Sequence, residues 1–222
     1  MAVPTRTEAI SLLVSTAPSP RVLQHMTVVA EVASCLAYRA SRAGLAVDRR
    51  LVETAALLHD VDKALPPDHP LKELGHGAAG AAWLTEHGHA ELARTLMAHP
   101  VTRFTDPDAE TWICEAPLEE RIVTYADKRA TQRVVSLEQR FDRWRRKHPE
   151  YRARLDQAFG VAQRLESILC LAIGIEARDV ERLRWVDDAM SRAFAAGVPD
   201  LRPAESVDGL PVFGTPADPS AA

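Results

Sequence analysis

Residues 57–63 read Leu57-Leu58-His59-Asp60-Val61-Asp62-Lys63, and this stretch decides how the rest of the chain is arranged. An apolar helical run from Thr54 to Leu58 delivers an adjacent His-Asp pair to a point just ahead of Pro66-Pro67, which stop the helix. Imidazole nitrogen and carboxylate oxygen both ligate borderline and hard divalent ions. Lys63, one helical turn past His59, puts a cation near the same spot. Taken alone, the dipeptide also fits an ordinary end-of-helix histidine capped by its neighbour, so the reading turns on what other ligands the chain supplies.

It supplies His25, His76, His99 and Asp127, each on or beside an expected helix. Upstream, residues 5–15 form a short amphipathic helix with Thr5 or Thr7 as its N-cap. From Pro20, Val22, Leu23, Met26, Val29, Val32, Ala33 and Leu36 recur at three- and four-residue steps, which predicts a long helix ending near Gly44. His25 lies in its first half, close to the apolar stripe. Asp48 caps the next helix, which ends at His59-Asp60. Residues 64–75 are a Pro-rich loop whose His69 reads as an exposed loop histidine.

Downstream, His76 opens a helix of small residues, Gly77 to Leu84, suited to close backbone approach. His87 and His89 flank Gly88 at a helix break and read as capping residues. The helix Ala90–Ala98 ends at His99-Pro100. Residues 101–116 read as a connection rich in Thr, Asp and Pro. From Pro117 a helix with Leu118, Ile122, Val123 and Ala126 on one face carries Asp127, and Lys128, Arg129 and Arg133 follow.

Residues 134–173 are strongly charged yet keep helical apolar spacing on both sides of Pro149, which predicts two helices in a hairpin or bent arrangement. A last helix is expected from about Glu176 to Ala195. The basic run from Arg143 to His148 reads as a solvated helix face, with attraction of a phosphorylated partner as the alternative. From Gly197 the chain is rich in Pro, Gly, Asp, Ser and Ala and is expected to be disordered. With no strand-like alternation, the fold class is all-α, a helical bundle. The expected organisation is a core at 1–135, a C-terminal helical extension packed on it at 136–196, and a tail at 197–222.

Composition narrows the function classes. A chain of 222 residues that is 46% hydrophobic and 26% charged has enough apolar residues for one core. A net charge of −4 gives no support to general nucleic-acid binding. Three well-separated cysteines, Cys35, Cys114 and Cys170, suit reduced thiols. The N-terminal segment lacks signal-peptide character, and no apolar stretch approaches a membrane span. A cytoplasmic protein without membrane association is expected, its oligomeric state open between monomer and homodimer.

Five segments together carry a resemblance. Arg21-Val22-Leu23-Gln24-His25, Leu58-His59-Asp60-Val61-Asp62-Lys63, Gly75-His76-Gly77-Ala78, Met97-Ala98-His99-Pro100 and Tyr125-Ala126-Asp127-Lys128 give an ordered His…His-Asp…His…His…Asp pattern. This pattern resembles the HD superfamily of metal-dependent phosphohydrolases, over roughly residues 20–135. The resemblance implies an HD-domain helical bundle with His25, His59, Asp60 and Asp127 around one metal. It implies that Asp60 bridges to a second ion held by His76 and His99. Possession of both extra histidines is similar to the two-metal branches, such as the YqeK-like dinucleotide hydrolases and the HD-GYP phosphodiesterases. The Gly-Tyr-Pro element of the latter is absent, so a cyclic dinucleotide substrate is not implied.

The resemblance further implies two divalent transition-metal ions (Fe, Mn, Co, Ni or Zn) and catalytic roles for Asp60 and Lys63. The partner it implies is a small phosphorylated molecule such as a nucleotide. Lys63 is expected to contact substrate phosphate, with Arg21, Lys128, Arg129 and Arg133 as further candidates. Asp62 departs from branches that carry glycine there, and an extra carboxylate near the metals would repel a phosphate or bind an ion. Two competing classes share these residues: a catalytically idle nucleotide- or metal-sensing helical protein, and an HD-type di-iron oxygenase.

Overall fold

A computed structural model describes residues 3–182. Contacts divide the chain into a unit of residues 1–184 and another of 185–222, and every described residue lies in the first. Ten α-helices occur among the described residues, linked by short 3-10 turns, with one isolated bridge (Ala130 to Val134) in place of any sheet. The fold is the all-α helical bundle that the periodicity implied. Among the described residues no helix is long and apolar enough to cross a membrane.

Side chains at the helix starts satisfy the first backbone N–H groups. Helix α1 (Arg6–Ser15) begins with a capping box in which the Thr5 hydroxyl accepts from the Glu8 N–H and the Glu8 carboxylate accepts from the Thr5 N–H. Helix α2 (Pro20–Arg42) has Ser19 as N-cap and proline at its first position, and it buries His25 in line with Met26, Val29, Val32, Ala33 and Leu36. The Asp48 carboxylate accepts from the Arg50 and Leu51 N–H groups and starts α3 (Arg49–Leu58). That helix stops at Leu58, leaving His59 as its C-cap and Asp60 ahead of a 3-10 turn at Val61–Lys63. Helices α2 and α3 pack together as one layer of the core.

Helices α4 (Ala78–Glu86) and α5 (Ala90–Ala98) form a second packed pair. Helix α4 begins two residues later than expected, so His76 stands in the turn before it. Residues 101–116 also differ from expectation. They hold a 3-10 turn at Val101–Thr105 and helix α6 (Ala109–Glu115), where an irregular connection was read. Phe104, Trp112 and Ile113 anchor this segment in the core, and the 3-10 turn and α6 both pack on α9. The Asp106-Pro107 break between the two short elements had masked their regularity.

Helix α7 (Leu118–Lys128) contacts α2, α3, α5 and α9, so little of its circumference meets water. Helix α8 (Leu137–Lys147), started by a Ser136–Gln139 capping box, and α9 (Arg152–Ile173) lie on either side of Pro149 and pack on each other. Of the last expected helix, Ala177–Arg182 is described as α10. Its continuation to Ala195 and the tail at 197–222 lie outside the described residues.

One glycine shows what the α4–α5 pairing demands. Gly77 sits at φ +83°, and a Cβ there would lie 2.8 Å from the Leu96 carbonyl oxygen and 2.8 Å from the Pro100 ring. Gly88 has a similar φ of +86° but nothing within 4 Å of its would-be Cβ. Gly77→Ala should therefore cost about 3 kcal/mol of stability, combining backbone strain with overpacking, and Gly88→Ala only about 1 kcal/mol. Denaturant unfolding of the two variants measures this, and equal losses would contradict the close approach.

Candidate metal centre

Helix ends deliver most of the expected ligands to one place. His59 and His99 are C-caps of α3 and α5, and each turns its Nδ1 back to the carbonyl three residues earlier, at 2.8 Å from Ala56 O and 2.6 Å from Leu96 O. His25 Nδ1 lies 3.0 Å from Thr131 O, and His76 Nδ1 lies 2.9 Å from Asp62 Oδ2. A carbonyl or carboxylate oxygen only accepts, so each Nδ1 carries the proton, and a neutral ring then presents a bare lone pair at Nε2.

All four Nε2 atoms face inward. His25 and His59 Nε2 are 3.3 Å apart, and His76 and His99 Nε2 are 3.0 Å apart. Asp60 lies between the two pairs. Its Oδ2 is 3.5 Å from both His25 and His59 Nε2, while its Oδ1 is 3.4 Å from both His76 and His99 Nε2. Two candidate metal-holding trios therefore share one carboxylate, His25–His59–Asp60 and Asp60–His76–His99. Asp127 Oδ1 stands beside the first trio, 3.1 Å from His25 Nε2 and 3.8 Å from His59 Nε2.

This arrangement passes a physical test for a cation. The cluster brings acceptor against acceptor, and Asp60 Oδ1 is buried with no hydrogen bond from any donor. Buried acceptors without a donor are rare because each loses its water and gains nothing in return. A divalent ion satisfies lone pairs of this kind at once, and the Nδ1–H bonds to carbonyl and carboxylate oxygens are the orientation that metal-bound histidines require. The residues fit one or two divalent cations of the imidazole-and-carboxylate type.

The protonation states agree with that requirement. Burial lowers His59 to about 3 against the pull of Asp60 and Asp127, and burial likewise lowers His99. Burial raises the Asp60 carboxyl, but the Lys63 ammonium 2.7 Å from Oδ2 opposes it, and the carboxyl is held below the usual carboxylate range. At Asp127 the Lys128 ammonium and the Arg140 guanidinium likewise overcome burial. Near neutral pH the centre holds ionised carboxylates beside uncharged His59 and His99.

A cavity of about 560 Å³ opens on this centre and is lined in part by His25 and Asp60. Of the residues expected to bind substrate, Arg21 and Lys63 line it, and the Lys63 ammonium lies 2.7 Å from Asp60 Oδ2. Three others stand elsewhere. Lys128 is fully buried, donating to His99 O at 2.6 Å and to Asp127 Oδ2, so it braces the centre from within. Arg129 is also buried and spends all five N–H donors on Val135 O, the Tyr125 hydroxyl, Glu166, Ala177 O and Glu181. Arg133 is exposed and does not line the cavity. Asp62 is buried and orients His76, so it does not stand in the path of a phosphate.

Sequence reasoning missed Arg140, Arg143 and Lys147 of α8, which line the same cavity with Trp144 and His148. The basic run read as a solvated face is thus turned in part toward the centre. Arg140 reaches Asp127 Oδ1 at 3.3 Å and stacks on Trp144, 4.5 Å from the ring centroid. Steps of three and four between residues 140, 143 and 147 were the available signal, since they place the cations on one helix face. His69 caps the 3-10 turn at Pro70–Leu74 by accepting from the Leu71 N–H, and His87, the C-cap of α4, stacks on Trp83.

The lowered His59 has a consequence for stability. Unfolding frees it to titrate near 6.5, whereas in the fold it titrates near 3, so acid protonates the unfolded state first. The metal-free protein should be most stable above that range and lose stability as pH falls from about 6.5 towards 3, by up to about 1.4 kcal/mol per pH unit from this group. Thermal unfolding of the chelated protein between pH 7.5 and 4 checks this, with His59→Gln expected to flatten the slope. A flat profile for the unaltered chain would contradict it.

Comparison with protein families matches the HD domain to residues 22–132, half of the chain. Searches of curated proteins and of solved structures each find no match. The matched span contains all six residues of the centre, from His25 to Asp127, and on this match and this fold the chain belongs to the HD domain family.

Proposed function

We propose that the protein is a metal-dependent phosphohydrolase that cleaves a phosphomonoester or phosphoanhydride bond in a nucleotide or similar small phosphorylated molecule. The observation that carries this reading is the cluster of inward-facing imidazoles around Asp60, whose Oδ1 has no donor, opening into a cavity whose other charged lining residues are cations. Of these, Arg21, Arg143 and Lys147 have no carboxylate partner among the described residues, so their charge is available to a polyanion. Membership of the HD family points to the same reaction class. The shared Asp60 favours the two-metal branch of that family, with His25, His59, Asp60 and Asp127 toward one ion and Asp60, His76 and His99 toward the other.

Divalent ions held there would supply an acidified water and offset the charge that builds on a phosphoryl group in the transition state. The chain's own residues do the rest. Asp60 ties the two halves of the centre together, and its burial keeps both oxygens aimed at them. Lys63 stands at the boundary between centre and cavity, 45% exposed, where its ammonium faces both Asp60 and an incoming phosphate. Arg140 steadies Asp127 from the opposite wall, while Arg21, Arg143 and Lys147 draw the anion in. Asp62, Thr131 O, Ala56 O and Leu96 O fix the four ring orientations, so little reorganisation accompanies the reaction.

Turnover of a phosphate-ester and nucleotide panel, with and without chelator, tests the reading. Asp60→Ala should abolish both bound transition metal and hydrolysis while circular dichroism stays helical. Lys63→Ala should lower kcat/KM about 100-fold with metal content intact. Full activity in chelator or in the Asp60 variant would contradict the proposal. So would turnover that requires dioxygen, or binding across the panel without turnover.

A further inference from the structure

Behind Trp144 lies a second cavity of about 420 Å³, walled by the 101–105 turn, the end of α8, the 149–151 turn and the start of α9. Its character is opposite to that of the first. Val101, Trp144, Tyr151, Leu155 and Ala158 supply most of its lining. Part of its polar lining is engaged locally: the Thr105 hydroxyl donates to Thr102 O at 2.8 Å and accepts from Arg154 at 3.4 Å, and His148 stands 3.4 Å from Glu150. Carbon nevertheless dominates the lining over its few polar groups, the Thr102 and Tyr151 hydroxyls and the Arg154 guanidinium among them.

The two cavities share a wall, because Trp144 and His148 line both. Trp144 is braced there by the Arg140 guanidinium over its ring and by Phe141, edge-on at 5.1 Å between centroids. An anion held by Arg143 and Lys147 on one side of this wall thus has an apolar space on the other. Most of that space is built by residues after 132, beyond the part of the chain that matches the HD domain. What it selects is therefore a property of this chain's own C-terminal helices.

We infer that the cavity behind Trp144 receives the non-phosphate half of the substrate, and that this half is an apolar group, aryl or alkyl, attached to the phosphate held at the cationic wall. The inference rests on the phosphohydrolase reading for the phosphate half alone. Within the small phosphorylated molecules proposed above it favours those with a carbon-rich group next to the phosphate over inorganic polyphosphate and over sugar phosphates, simple nucleotides included, whose group next to the phosphate gains little from leaving water for a carbon-lined space.

The test is binding of phosphonates, which resist hydrolysis, to the full chain as purified with its metal, read by titration calorimetry. 1-Naphthylmethylphosphonate should bind at least tenfold more tightly than methylphosphonate. A gain seen instead with hexylphosphonate supports the same apolar compartment and identifies a chain rather than a ring. Ala158→Trp, which fills the space, should remove the gain and leave methylphosphonate binding unchanged. Because Ala158 is buried and a large side chain there strains the packing, Tyr151→Ala at an exposed position is measured beside it and should reduce the gain severalfold. Equal binding of the three phosphonates, or a gain that survives both substitutions, overturns the apolar compartment while leaving the phosphate reading standing. Failure of all three to bind overturns both.

Discussion

Each imidazole of the centre is held from behind. A ring whose Nδ1–H is already given to a fixed oxygen can offer only its Nε2, and here four rings are so held and aim at the two oxygens of Asp60 or their immediate surroundings. Acceptors brought against acceptors repel one another, and the Lys63 ammonium reaches only Asp60 Oδ2, so the four Nε2 atoms and Asp60 Oδ1 form a set that a divalent cation would satisfy. The ends of α3 and α5, the turn before α4 and the last turn of α7 have to arrive together for this to hold. The close α4–α5 approach at Gly77 follows from it, because the Leu96 carbonyl that crowds that glycine is the one that orients His99.

A ring of charges in turn steadies the centre from below. Helix α7 is surrounded by α2, α3, α5 and α9, so Asp127, Lys128 and Arg129 are all buried although they are consecutive. Buried charges persist only when paired and hydrogen-bonded, and each of these is. Lys128 ties Asp127 to the backbone at His99, joining ligands of the two halves, while Arg129 fastens α7 to α9 and α10 through Glu166 and Glu181. The later helices thereby support the centre as well as wall the cavity above it. The candidate metal-holding residues lie within the span matching the HD domain, and Arg140, Arg143, Trp144, Lys147 and His148 of the cavity wall lie after it.

The bundle and the centre were legible in the sequence to different depths. Periodicity, Ser19, Asp48, Pro117 and Gly44 marked most helices, and the ordered His and Asp residues marked a set that the fold does bring together. Two short elements at 101–116 escaped because Asp106-Pro107 interrupts them and only packing on α9 fixes Phe104 and Trp112. Charge type also misled. A lysine or arginine beside a ligand reads as a phosphate contact, yet Lys128 and Arg129 point inward because α7 has no free face, a fact set by tertiary packing. Conversely, Arg140, Arg143 and Lys147 share one face of α8, but a helix face carries no label saying whether water or a cavity lies against it. An acidic residue two positions past Asp60 reads as a repeller of phosphate or an ion ligand, and in the fold Asp62 Oδ2 accepts from His76 Nδ1.

Anomalous X-ray diffraction from crystals of the freshly purified protein, with elemental analysis of the same sample, tests the cation requirement most directly. The account predicts transition-metal density at about 2.0–2.2 Å from the Nε2 atoms of His25 and His59 or of His76 and His99, with Asp60 between the positions if both are filled. A metal-free centre in which those rings keep their orientations, satisfied by protein donors alone, would contradict it.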